Sequence, residues 1–200
     1  MTIDLLPGHG VRLPAPLPEL RFGLAEATVR QLLAPPGGPG GVQDTFVCGS
    51  PWALHFTLPG LGVTLTADTD GAFAAVHLTR LPTDRTDRTH RTDWNHRTDW
   101  NHRTDWTNRT DDQIFCPVGF HGIDVFGWPA HELVAALRAE GLPVPDPSHG
   151  NLRFGELHLS RGTATRWAPP DARKPRHEPP FTFAHASLTA PDHGRPAAAP

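Results

Sequence analysis

Apolar and polar residues alternate along residues 52–58, 61–66 and 73–80, the two-residue period of strands with one buried face. Pro59-Gly60 and Asp68-Thr-Asp-Gly71 separate these stretches as turns, and residues 45–48 read as a shorter strand ahead of Gly49-Ser50-Pro51. Alternation directs Trp52, Leu54, Phe56, Leu61, Val63, Leu65, Val76, Leu78, Leu157 and Leu159 toward a core. The opposite, open face then carries His55, Thr57, Thr64, Thr66, Phe73, His77, Thr79, Phe154, Glu156, His158 and Ser160.

Two other stretches have helical spacing, with Val29/Leu32/Leu33 and Leu133/Ala136/Leu137 facing inward. Each opens with Phe-Gly, in Phe22-Gly23-Leu24 and in Phe126-Gly127-Trp128, and continues into an acidic first turn. Pro129 suits a first helical turn, while Pro35-Pro36-Gly37 and Gly141 stop the two helices. Residues 73–80 and 154–161 share the pattern Phe-x-x-(Val/Leu)-His-Leu-(Thr/Ser)-Arg. Two matching blocks in the same order predict a duplicated unit, at about 22–80 and 126–161, the second with fewer strands. The expected fold class is α+β: two degenerate helix-plus-antiparallel-strand units forming a two-layer sandwich, helices beneath and the other sheet face open.

Two segments fall outside this body of residues 1–84 plus 112–167. Residues 85–111 repeat Arg-Thr-Asp-Trp-Asn-His and its variants. On a helix, Trp94, Trp100 and Trp106 would point in three directions, and the array contains no aliphatic residue with which to build a core. It is expected to be a solvated, largely disordered low-complexity insertion. Residues 168–200 hold eight prolines and read as a disordered tail, within which Phe181-Thr-Phe183 is an apolar island able to dock on the body.

Composition narrows the class. The 200 residues carry a formal charge of −3, and in residues 85–112 six Arg are balanced by six Asp, so no basic excess tracks a polyanion and no nucleic-acid partner is expected. No run of about 18 apolar residues exists to span a membrane. The first ten residues lack the basic and apolar regions of a secretory signal, so the expected location is cytoplasmic. Lys174 is the only lysine, Tyr is absent, and Gly (19) and Pro (23) are abundant, which points to a bacterium of very high G+C content. Cys48 and Cys116 lack a C-x-x-C partner and read as small buried hydrophobes.

Catalytic signatures fail on inspection. His131-Glu-Leu-Val-Ala135 has Ala where a zinc-protease helix needs its second ligand, and Gly37-Gly-Pro-Gly-Gly41 lacks the Lys-Ser/Thr of a phosphate loop. His55, His77 and His158, with Glu156 nearby, are the best metal candidates on the open face. The primary expectation is a non-catalytic protein-binding module using that face, with no cofactor and an unknown protein partner. Phe73 and Phe154 would serve as apolar anchors, His77 and His158 as adaptable polar contacts, and Arg80 and Arg161 as rim charges. The rival is a metal-dependent hydrolase on the three histidines.

The doubled block order, with its Phe22-Gly23-Leu24 and Phe126-Gly127-Trp128 openings, resembles the tandem helix-plus-sheet proteins typified by the β-lactamase inhibitor proteins and the BamE-like lipoprotein domains. That resemblance implies the fold and transfers no functional residue. The segment from Gly122 to Leu133, Gly-Ile-Asp-Val-Phe-Gly-Trp-Pro-Ala-His-Glu-Leu, resembles one in small uncharacterised actinobacterial proteins, several of them beside toxin–immunity systems. The implication is a partner-binding role, of which immunity or inhibition is a specific form. The chain departs from the secreted inhibitors in lacking their cysteine pairs, and no signal peptide is expected.

Overall fold

The alternating stretches become strands of one meander, and the helical stretches become helices. A computed structural model describes residues 2–34, 39, 41–81, 116–161 and 181–191. In chain order it contains β1 (Ile3–Leu6), β2 (Gly10–Arg12), β3 (Glu19–Arg21), α1 (Glu26–Leu33), β4 (Gln43–Asp44), β5 (Ala53–Leu58), β6 (Leu61–Ala67) and β7 (Phe73–Arg80). There follow β8 (Val118–Phe120), β9 (Ile123–Asp124), α2 (Ala130–Ala139), β10 (Asn151–Phe154), β11 (Leu157–Ser160) and β12 (His185–Thr189). The fold is α+β and rich in sheet, with two helices and two sheets among the described residues. The repeat array at 85–111 lies outside them.

The larger sheet has the order β10-β11-β12-β7-β6-β5-β4, with every neighbouring pair antiparallel. Between β5 and β6, Gly60 (φ 69°) supplies the left-handed residue that a two-residue turn after proline requires, and Leu58 pairs with Leu61. All ten residues that alternation directs inward are buried. Trp52 is anchored further by its indole N–H, which donates to the Gly71 carbonyl at 2.7 Å.

The core face is shared by more than helices. A second sheet, β3-β2-β1-β8-β9, joins the N-terminal residues to 118–124 through a parallel β1–β8 pair, and it buries Ile3, Leu5, Val11, Leu20, Val118 and Phe120 in the same cluster as α1 and α2. The helices are fastened locally. In α1 the Arg30 guanidinium bonds Glu26 one turn earlier and Asp44 on β4. After α2, Gly141 (φ 81°) donates to the Arg138 carbonyl and Leu142 to that of Leu137, the double closure that ends a helix on a left-handed glycine.

The expected tail at 168–200 needs a correction within residues 181–191. Strand β12 is inserted between β11 and β7, deep in the larger sheet, and Phe183, Ala186 and Leu188 are buried in the core. Its sequence, His185-Ala-Ser-Leu-Thr189, alternates polar and apolar residues, so it fits an interior strand of a sheet with one polar face.

The two sequence blocks that suggested a duplicated strand fold differently. Residues 73–80 are one continuous strand. Residues 154–161 instead contain a hairpin, because Gly155-Glu156 (Gly155 φ 53°) turns the chain between β10 and β11 and sets Phe154 opposite Leu157.

Candidate functional site: the polar face of the seven-stranded sheet

Paired residues on neighbouring strands share a face, so the register of the sheet reads out a row directly. One row crosses all seven strands: Arg153, His158, Ser187, His77, Thr64, His55, Gln43. The next row on the same face runs Asn151, Ser160, His185, Thr79, Gly62, Thr57. This face is hydroxyls, imidazoles, the two carboxamides of Gln43 and Asn151 and one guanidinium, and its side chains are half-buried or exposed apart from the glycine.

Hydroxyls tie the imidazoles together. His77 sits at the centre of the sheet, with Nδ1 at 2.9 Å from Ser187 Oγ and Nε2 at 3.4 Å from Thr66 Oγ1. His55 Nδ1 contacts Thr64 Oγ1 at 3.0 Å, and His185 Nδ1 contacts Thr79 Oγ1 at 3.1 Å. Burial among these strands pushes the His77 pKa below its ordinary value, because a charged imidazole there loses hydration.

Of the six residues expected to form the binding surface, only His77 and His158 share this face, one strand apart on either side of Ser187. The other four turn away, each for a geometric reason. A register shift between Thr66 and Ala67 pairs Phe73 with Ala67 and rotates it into the core, where it is 1% exposed and packs 5.2 Å from the Phe22 ring. The hairpin turn puts Phe154 on the apolar side, edge-on to Phe120. Arg80 follows Thr79 and therefore points the other way, donating to the Phe126 carbonyl at 3.0 Å. Arg161 lies over the Phe181 ring at 5.5 Å. His185 and Ser187, both on the face, belong to the stretch that proline content had assigned to a tail. The alternation of residues 185–189 was the signal that could have found them.

The metal candidates do not converge. His55, His77 and His158 alternate with Thr64 and Ser187 along the row, so with strands about 4.8 Å apart successive imidazoles stand roughly 10 Å apart. A zinc ion holds its nitrogens at about 2.1 Å. Among the described residues no group of three His, Cys, Asp or Glu is placed to hold a metal ion. Ser187 and His77 both lie on interior strands, whose backbone N–H groups pair with the neighbouring strands.

At one end of the face, Thr66, Ala75 and Thr189 floor an open groove of about 680 Å³ whose far wall carries Asp68 and Asp70. Asp68 accepts the backbone N–H groups of Asp70 and Ala72, fixing that turn.

No protein family, curated protein or solved structure matches the chain. No helix of the described residues is long and apolar enough to cross a membrane.

Proposed function

We propose that this chain is a non-catalytic protein-binding module of the bacterial cytoplasm, with the polar face of the seven-stranded sheet as its contact surface. The observation that carries the reading is the uninterrupted row from Arg153 to Gln43: one hydrogen-bonding side chain per strand of a continuous sheet, opposite a face occupied by the core. Such a surface offers many directed contacts and no convergent reactive centre. Its contacts are His77, His158, His185, Thr57 and Ser160 rather than aromatic anchors. An immunity- or inhibitor-like role is a specific form of this reading. The duplicated two-layer architecture now rests on the Phe22-Gly23 and Phe126-Gly127 helix openings alone, because the second sequence match spans a strand in one place and a hairpin in the other.

The test is affinity capture with the full chain, the face variant T57R/H158E and the α2 surface variant H131E. A partner retained by wild type and H131E but lost by T57R/H158E supports the face, whereas equal recovery by all three overturns it. Stoichiometric zinc in the purified protein, lost on His77→Ala, would instead favour the hydrolase.

A further inference from the structure

The charges on and around the face are unevenly placed. From one edge of the sheet to the other, the two rows carry Arg153 on β10, His158 on β11, His185 on β12, His77 on β7 and His55 on β5, while β6 and β4 contribute Thr64 and Gln43. Neither row contains a carboxylate. Among the described residues, acidic groups border one end of the face, where Glu156 accepts the Gly8 N–H at 2.9 Å and Asp68 and Asp70 line the groove. Asp44, on the β4 edge, pairs with Leu54 on the core-facing side and binds Arg30. Arg153 is the one permanent cation of the rows, imidazoles as a class gain positive charge as pH falls, and nothing in the rows themselves neutralises it.

From this distribution we propose that the imidazole rows form a proton-gated docking surface for a carboxylate-rich protein segment, gripping it as pH falls and releasing it as pH rises. The inference rests on the reading of this face as the contact surface and adds the partner's chemistry and its control. Carboxylates fit better than a phosphate backbone, because Arg153 is the single permanent cation in the rows and the whole chain carries −3. The partner's acidic residues lie over His158, His185 and His55, away from the Asp68–Asp70 end. His77, held between Thr66 and Ser187, works chiefly as a hydrogen-bonding hub.

The test uses the full chain with a fluorescent ten-residue oligo-aspartate as probe, titrated at pH 5.5 and pH 7.5 in low salt. Each exposed ion pair gained multiplies affinity by a factor of about two to five, so at least roughly tenfold tighter binding is expected at pH 5.5. H158Q/H185Q flattens the dependence, H158R/H185R binds at pH 7.5 as wild type does at pH 5.5, and H131Q, on α2, behaves as wild type. Far-ultraviolet dichroism of each variant checks that the fold is kept. A flat wild-type profile, a dependence that survives H158Q/H185Q, or tighter binding of a ten-nucleotide single strand than of the peptide at pH 5.5 overturns the proposal. A flat profile alongside a captured partner that T57R/H158E loses sinks the proton gate alone and leaves the binding face standing.

Discussion

Phe73 and His77 stand four residues apart on β7 and do opposite work, because the register shift beside Ala67 separates their faces. Phe73 is a core residue, so Phe73→Ala is expected to cost about 3–5 kcal/mol in urea unfolding, more than any single substitution on the polar rows. His77 makes stability depend on pH. Its folded pKa lies below the ordinary 6.5, so between those values the unfolded chain binds more protons. Its contribution is intact above about pH 6.5 and shrinks as pH falls below it. His77→Gln should lessen the loss of urea stability between pH 7.5 and pH 5.5, and an unchanged loss would contradict the desolvation. The two thiols differ as sharply. Cys48 is exposed, whereas Cys116 is buried and its pKa raised by that burial, so a thiol reagent at neutral pH should label one cysteine at once and the second only on unfolding.

Among the elements, β12 is the decisive one. Leu188 fills the core from a strand paired on both sides and Phe183, just ahead of that strand, is buried with it, so Leu188→Ala should cost about 2–5 kcal/mol, and a chain ending at residue 180 should show no cooperative thermal transition. What the sequence disclosed follows from local periodicity. Helices α1 and α2, the meander β5–β7 and its buried positions come from patterns complete within a few residues. Strands β1–β3, β8 and β9 are two to four residues long, lie among Pro7, Pro14, Pro16 and Pro18 or beside glycines, and form two local groups joined by one β1–β8 pair between residues over a hundred positions apart. No periodicity announces that. The site was half legible: His77 and His158 follow from alternation, but Phe73 needed the bulge, Phe154 the hairpin turn, and His185 and Ser187 a strand concealed after Pro179-Pro180. Arg80 and Arg161 follow face residues directly, so simple parity already argued against them.

At the scale of the whole molecule, the segment 82–115 leaves and returns at one place. The Leu81 N–H donates to the Gly60 carbonyl at 3.0 Å and the Cys116 N–H to the Pro59 carbonyl at 3.1 Å, both on the turn between β5 and β6. With the flanking residues already pinned together, shortening the connection between them reduces closure entropy slightly. Deleting 85–111 should therefore leave the thermal midpoint unchanged or raise it by a few degrees, and a fall of more than about 5 °C in calorimetry would assign the array a structural part.

The position of β12 also sets the order of events during synthesis. Translation delivers β7 about a hundred residues before the strand that must pair with it, and β11 only shortly before, so the emerging polypeptide exposes the β7 backbone rim until residue 189 has left the ribosome. The hydrophobic interior thus waits on one short late stretch, and a cell that makes this protein must shield that rim from other nascent chains in the meantime.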